Sequence, residues 1–211
     1  MTTIKSPLIL EACVETLEEA LAAQQAGANR IELCSALDQD GLSPSEELTR
    51  QCLEQLSIPI MAMVRPRGGN FVYSEAEIQQ MEQEIELFKQ LGVAGVVFGL
   101  LTEENSIDLI NTQLLARKVQ PLEVTFHKAI DYTPDPLKSF EGLNTIEGIT
   151  RVLTSGGKAT AWEGRIVLKE MNDLSNRKIK IIAAGKVLPA NREQIAEYTG
   201  VTELHGKKIV G

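Results

Sequence analysis

Apolar residues in this chain fall into eight short runs, separated by longer stretches with helical spacing. The runs cover residues 8–14, 30–34, 59–65, 95–101, 123–128, 151–155, 179–184 and 202–205. Two of them, IPIMAMV and IKIIAA, are apolar on both faces, as in a parallel sheet covered on both sides. Several starts lie about 28 residues apart, the size of one β-α unit. "QAGANRIEL", "QLGVAGVVF" and "YTGVTELHG" each read as helix end, glycine, short turn and strand. Eight such units predict a closed (β/α)8 barrel of the TIM type, an α/β fold formed as one domain over residues 1–211. An open doubly wound sheet is the runner-up. It needs a glycine-rich phosphate turn after an early strand, which this sequence lacks.

The intervening stretches carry helix signals. Thr16 with Glu19, Ser43 with Glu46 and Ser74 with Glu77 have capping-box spacing, and Pro44 suits a first helical position. Residues 74–91 form the longest predicted helix, with Ile78, Met81, Ile85 and Phe88 on one stripe and Gly92 as its stop. Nothing after residue 205 has room for a full helix, so the last helix is expected to be short or missing. The flank left open is a candidate contact between copies.

In such a barrel the chemistry sits at the C-terminal ends of the strands. Residues two apart on a strand share a face, so Glu11 stands with Cys13, and Glu32 with Cys34. The other strand ends bring Arg65 and Arg67, then His127, Lys128 and Asp131, then Ser155, Gly156 and Gly157, and finally His205. Both histidines of the chain are in this set. Cys13 and Cys34 read as small buried hydrophobes or as a pair of ligands for a soft ion. Without a CxxC, a tetrahedral zinc site has little support. A carboxylate inside a barrel needs a partner, and Arg65, one strand on, is the expected one for Glu11 and Glu32. Glu32 and His127 are candidates for acid-base work, or simply a carboxylate and its hydrogen-bonding histidine. The turn at 154–157 and the "RPRGGN" loop are candidate anion holders or plain loops. Cys52 lies on a helical stripe with Leu48 and Leu56 and is expected in the core.

Composition narrows the partners. The chain has 211 residues, 43% hydrophobic and 24% charged, with a formal net charge of −8. That balance excludes a basic nucleic-acid footprint or a polybasic membrane patch, and no apolar run is long enough to span a bilayer. The first residues, MTTIKSPLIL, lack a leader's apolar region, and three cysteines do not make a disulfide framework. Together these predict a cytoplasmic protein with reduced thiols.

Seven ordered motifs, "LEACVE", "NRIELCSAL", "RPRGGNFVYS", "GVVFGLLTE", "VTFHKAID", "RVLTSGGKATA" and "ELHG", resemble the signatures of the CutC family, the copper homeostasis proteins. The resemblance covers nearly the whole chain. It implies a (β/α) barrel, a cytoplasmic location, a role in copper tolerance and a dimer or larger assembly. It also implies Cys13 and Cys34 as Cu(I) thiolates, and it brings no reaction with it. The chain departs from the family pattern in three places: Lys128 replaces the usual arginine, "AAGKV" replaces a glycine-rich turn, and the chain ends at "ELHGKKIVG". Three functions remain open on the residues alone. One is a Cu(I)-binding protein. Another is an enzyme acting on a small phosphorylated or carboxylated metabolite. The third is an inert barrel whose polar residues close on one another.

Overall fold

The computed structural model describes residues 7–175 and 178–211. Residues 1–6, where the sequence predicts no leader, lie outside the described residues. All eight predicted strands form: β1 (Ile9–Val14), β2 (Arg30–Leu33), β3 (Ile60–Met63), β4 (Gly95–Phe98), β5 (Glu123–Phe126), β6 (Arg151–Thr154), β7 (Lys180–Ala183) and β8 (Glu203–Gly206). They are parallel and close in sequence order, with β8 hydrogen-bonded to β1. Seven helices alternate with them: α1 (Leu17–Gln25), α2 (Glu46–Gln55), α3 (Glu75–Leu91), α4 (Leu109–Val119), α5 (Pro136–Leu143), α6 (Arg165–Leu174) and α7 (Arg192–Thr199). Among the described residues no helix follows β8.

The alternation within each strand places its two faces. Outward residues such as Ala12, Ile31, Leu33, Ala62, Val96 and Phe98 pack with the helices into one buried layer, which also holds Cys52. Helix α3 shows how the sequence builds this layer. Ser74 and Glu77 form a reciprocal capping box, Ile78, Met81, Ile85 and Phe88 are buried, and Gly92 ends the helix at φ 88°. The Thr16 hydroxyl caps α1, but the Glu19 carboxylate accepts from Glu15 N–H and leaves the box half formed. Helix α2 corrects the sequence reading: its cap is Ser45, so Pro44 stands outside the helix. Ser43 is used elsewhere, accepting from Arg65 N–H and donating to Glu84. The Arg65 backbone amide and the Glu84 carboxylate occupy that hydroxyl, and the cap falls two residues on, at Ser45.

The inner face is where the charges sit. Arg30, the first residue of β2, pairs with Glu11 on β1 and with Glu203 on β8 (2.7 Å). Arg151 on β6 joins Glu203 (2.9 Å) to Glu123 on β5 (2.6 Å). Acids and bases thus alternate across the lower barrel, where each isolated charge would be costly. Glu11 and Arg30 are 0% and 4% exposed, so removing one partner strands the others in a dry interior. Arg30→Met is expected to lower the unfolding free energy by about 3–5 kcal/mol, read from the denaturant midpoint. A loss below about 1 kcal/mol would show that this network does not organise the barrel floor.

Candidate metal and ligand site at the barrel mouth

Five side chains, Glu11, Cys13, Glu32, Cys34 and His205, converge near the mouth from the first two strands and the last. Strand registry puts Glu11 beside His205 and Cys13 beside Glu32. His205 Nδ1 lies 2.9 Å from Glu11 Oε1, and its Nε2 lies 3.7 Å from Glu32 Oε2. The Cys13 and Cys34 sulfurs are 4.0 Å apart, and Cys34 Sγ is 3.7 Å from Glu32 Oε2. One ligand atom each of Cys13, Glu32 and His205 lie within 4.8 Å of one another. All three cysteines are free and buried.

The electrostatics follow from burial and pairing. Burial pushes the Glu11 carboxyl up, but Arg30 and His205 outweigh it and hold its pKa at about 2. Glu32 has no such guanidinium, and desolvation carries it well above the ordinary carboxyl range. Burial works against a charge on His205, yet Glu32, Cys13 and Glu11 together raise it well above 6.5. The Cys34 hydrogen bond, against the opposing effect of burial, leaves the Cys13 thiol well below its usual range. Cys34 moves the opposite way, raised by its contact with Cys13 and by burial.

Arg65 corrects the expected pairing. Its guanidinium does not reach Glu11 or Glu32. It donates to the carbonyls of Gln39, Gly41 and Gly69 at 3.0–3.1 Å and stacks over Phe71. Glu11 instead uses Arg30, which the sequence reading passed over although it shares a strand face with Glu32 and Cys34. Running the two-residue period back from Glu32 would have found it. Arg67 also serves its loop, bonding to Glu77 and to the carbonyls of Gly68, Asn70 and Val72. The turn at 154–157 already holds an anion: Asp131 accepts from Ser155 N–H (2.9 Å), Gly157 N–H (2.8 Å) and the hydroxyls of Thr154 and Ser155. Asp131, Ser155 and Gly157 are therefore brought together, but against one another. Gly156 N–H turns to Thr154 Oγ1.

His127 lines the same mouth. Its Nδ1 accepts from Ala129 N–H at 3.2 Å, which puts the ring proton on Nε2. Burial and the charge of Arg65 depress its pKa to about 3, so the ring is neutral and acts as a donor. Gly99 on the neighbouring strand end makes room for it, since a Cβ there would fall 2.3 Å from Nδ1. These groups surround an open cavity of about 270 Å³. Phe71, Tyr132, Met63, Leu153 and Lys207 complete its wall. Sequence reasoning missed Phe71, Tyr132 and Lys207 because they lie outside the periodic strands and helices, and it took Met63 and Leu153 only as apolar strand residues. The inert-barrel reading expects a mouth filled by its own polar residues, and the cavity differs from that expectation.

A (β/α)8 barrel with two thiols, an imidazole and a carboxyl grouped at its mouth defines the class of protein. Residues 8–210 match the CutC family model, and the chain belongs to the CutC family. A CutC family protein from Glaesserella parasuis is 43% identical over 196 residues, 93% of this chain and 80% of that protein. The human copper homeostasis protein cutC homolog is 40% identical over 197 residues, 93% of this chain and 72% of that protein. A crystal structure of CutC from Streptococcus agalactiae superposes with a TM-score of 0.90 at 33% identity, covering 96% of this chain and all of that one.

The depressed His127 pKa makes a signed prediction. Between about 3 and 6.5 the unfolded chain binds a proton on His127 that the folded chain refuses, so this group costs stability as pH falls below 6.5. Glu32, with its raised pKa, acts in the opposite sense above 4.5. The measurement is therefore the difference between wild type and His127→Phe in urea melts from pH 7 to 4.5. The variant should gain on wild type by roughly 1.4 kcal/mol per pH unit below 6.5. A pH-independent difference would mean that His127 is not held neutral.

Proposed function

We propose that the barrel mouth binds Cu(I), with the thiolates of Cys13 and Cys34 as its primary ligands and His205 beside them. The pair of sulfurs 4.0 Å apart carries this reading. Both can reach one ion, since the separation is less than twice a metal–thiolate bond of about 2.3 Å. Soft sulfur and imidazole ligands select Cu(I) over hard cations. Cys34 is wholly buried and Cys13 is 7% exposed at the cavity, so an ion would be delivered through Cys13. Glu11 supports the site indirectly, by orienting His205 through Nδ1 and leaving Nε2 for the ion.

Two further observations support the copper reading. The human and mouse relatives carry copper homeostasis in their names. Three free thiols suit a reducing cytoplasm, where Cu(I) is the stable copper ion. No helix among the described residues is long and apolar enough to cross a membrane. The proposed role is intracellular copper binding, with the barrel holding the ion away from water.

Titration of the reduced protein with Cu(I) against a competing chelator tests the proposal. Wild type should bind one copper per chain at this site, and Cys13→Ser with Cys34→Ser should weaken it by at least about 100-fold. Unchanged affinity in the double variant would place copper elsewhere.

A further inference from the structure

The chamber above the thiols has features that a metal ion does not use. Its volume of about 270 Å³ is close to the lower end of small-molecule cavities, roughly 300–1,000 Å³. One wall is aromatic: Phe71 meets His127 edge-on at 5.0 Å and Tyr132 at 5.4 Å. Tyr132 is 62% exposed, and its ring meets Phe71 at the chamber wall. Met63 and Leu153 add apolar surface. Among the lining charges, Arg65, Lys128 and Lys207 outnumber Glu32 and Asp40, in a chain whose net charge is −8.

Three buried polar atoms of its lining residues lack a partner: Glu32 Oε1, Arg65 Nε and His127 Nε2. His127 Nε2 is buried and makes no hydrogen bond, and its residue is 4% exposed. Its proton cannot move to Nδ1, because Nδ1 already accepts from Ala129 N–H. A buried N–H left without an acceptor costs about 1–3 kcal/mol, and native proteins seldom leave one so. The chamber therefore calls for an acceptor atom, and its surplus of cations favours an anionic one.

We propose that this chamber binds a small organic monocarboxylate, one carboxylate oxygen accepting from His127 Nε2–H and the other facing the Lys128 ammonium, with the apolar body against Phe71 and Tyr132. Phosphate suits the chamber less well. The backbone donors of the 154–157 turn are spent on Asp131, and the terminal nitrogens of Arg65 are spent on three carbonyls. What is left is the N–H of His127 and of Arg65 Nε, with two rim ammoniums that are already engaged. Lys128 Nζ donates to Ser155 Oγ (3.1 Å) and faces Asp131 Oδ2 (3.5 Å), and Lys207 Nζ donates to the Leu37 carbonyl (3.0 Å). The charge of that set suits a monoanion better than a dianion. The inference does not rest on copper binding, because no sulfur takes part in it.

The test uses the full-length, metal-free, 15N-labelled protein and follows the His127 Nε2–H resonance, one of two imidazoles in the chain. The probes are isovalerate, phenylacetate and inorganic phosphate. At least one carboxylate should shift the resonance saturably, Lys128→Met should weaken that binding roughly tenfold, and phosphate should bind more weakly. The Cys13→Ser, Cys34→Ser double variant should keep the carboxylate response, which separates this site from the copper reading. The proposal is overturned if neither carboxylate moves the resonance, if Lys128→Met binds as wild type does, or if phosphate is preferred.

Discussion

The buried carboxylate of Glu11 has two oxygens and two partners, and the geometry of the mouth depends on how they are shared. One oxygen takes Arg30, which carries the charge network down to Glu203 and Arg151. The other takes His205 Nδ1 at 2.9 Å. Coupling an acid to a guanidinium keeps it ionised in a dry interior, and an ionised acid then holds an imidazole in one orientation. His205 Nε2 consequently faces Glu32 and Cys13. A neutral or mobile Glu11 would leave both histidine orientation and barrel floor unspecified.

Two chemistries share this mouth. Toward β1, β2 and β8 lie the sulfurs, His205 and Glu32, a compact and largely buried group. Toward β3, β5 and β6 lie His127, Lys128 and the aromatic wall, around open space. The two sides differ in hardness and in charge. Thiolates and an imidazole serve a soft ion, whereas a neutral N–H donor and an ammonium serve an oxygen ligand. Barrels of other sequence families match this one at 7–13% identity and share the fold alone, so no reaction carries over from them.

The fold was legible because short apolar runs and helix caps repeat with the β-α period, and a period survives without knowledge of contacts. All eight strands lie where the runs do, and Ile78, Met81, Ile85 and Phe88 lie on the buried side of α3. The strand face of Cys13, Glu32 and Cys34 was legible for the same reason. Partner choice was not. Arg65 and Arg30 look alike in sequence, but the strand stagger puts Arg30 level with Glu11, and Arg65 a layer higher among loop carbonyls. The turn at 154–157 looked free because Asp131, its occupant, comes from another loop. The sequence also could not tell that His127 spends Nδ1 on its own backbone, two residues on.

The central claim is that two thiols and an imidazole at one barrel mouth hold Cu(I). X-ray absorption at the copper edge of the loaded, reduced protein tests it most directly. The account predicts a Cu(I) edge with two sulfur scatterers and one nitrogen or oxygen scatterer per copper, reduced to fewer than two sulfurs in Cys34→Ser. A first shell of nitrogen and oxygen alone, or a sulfur count unchanged by Cys34→Ser, would contradict it.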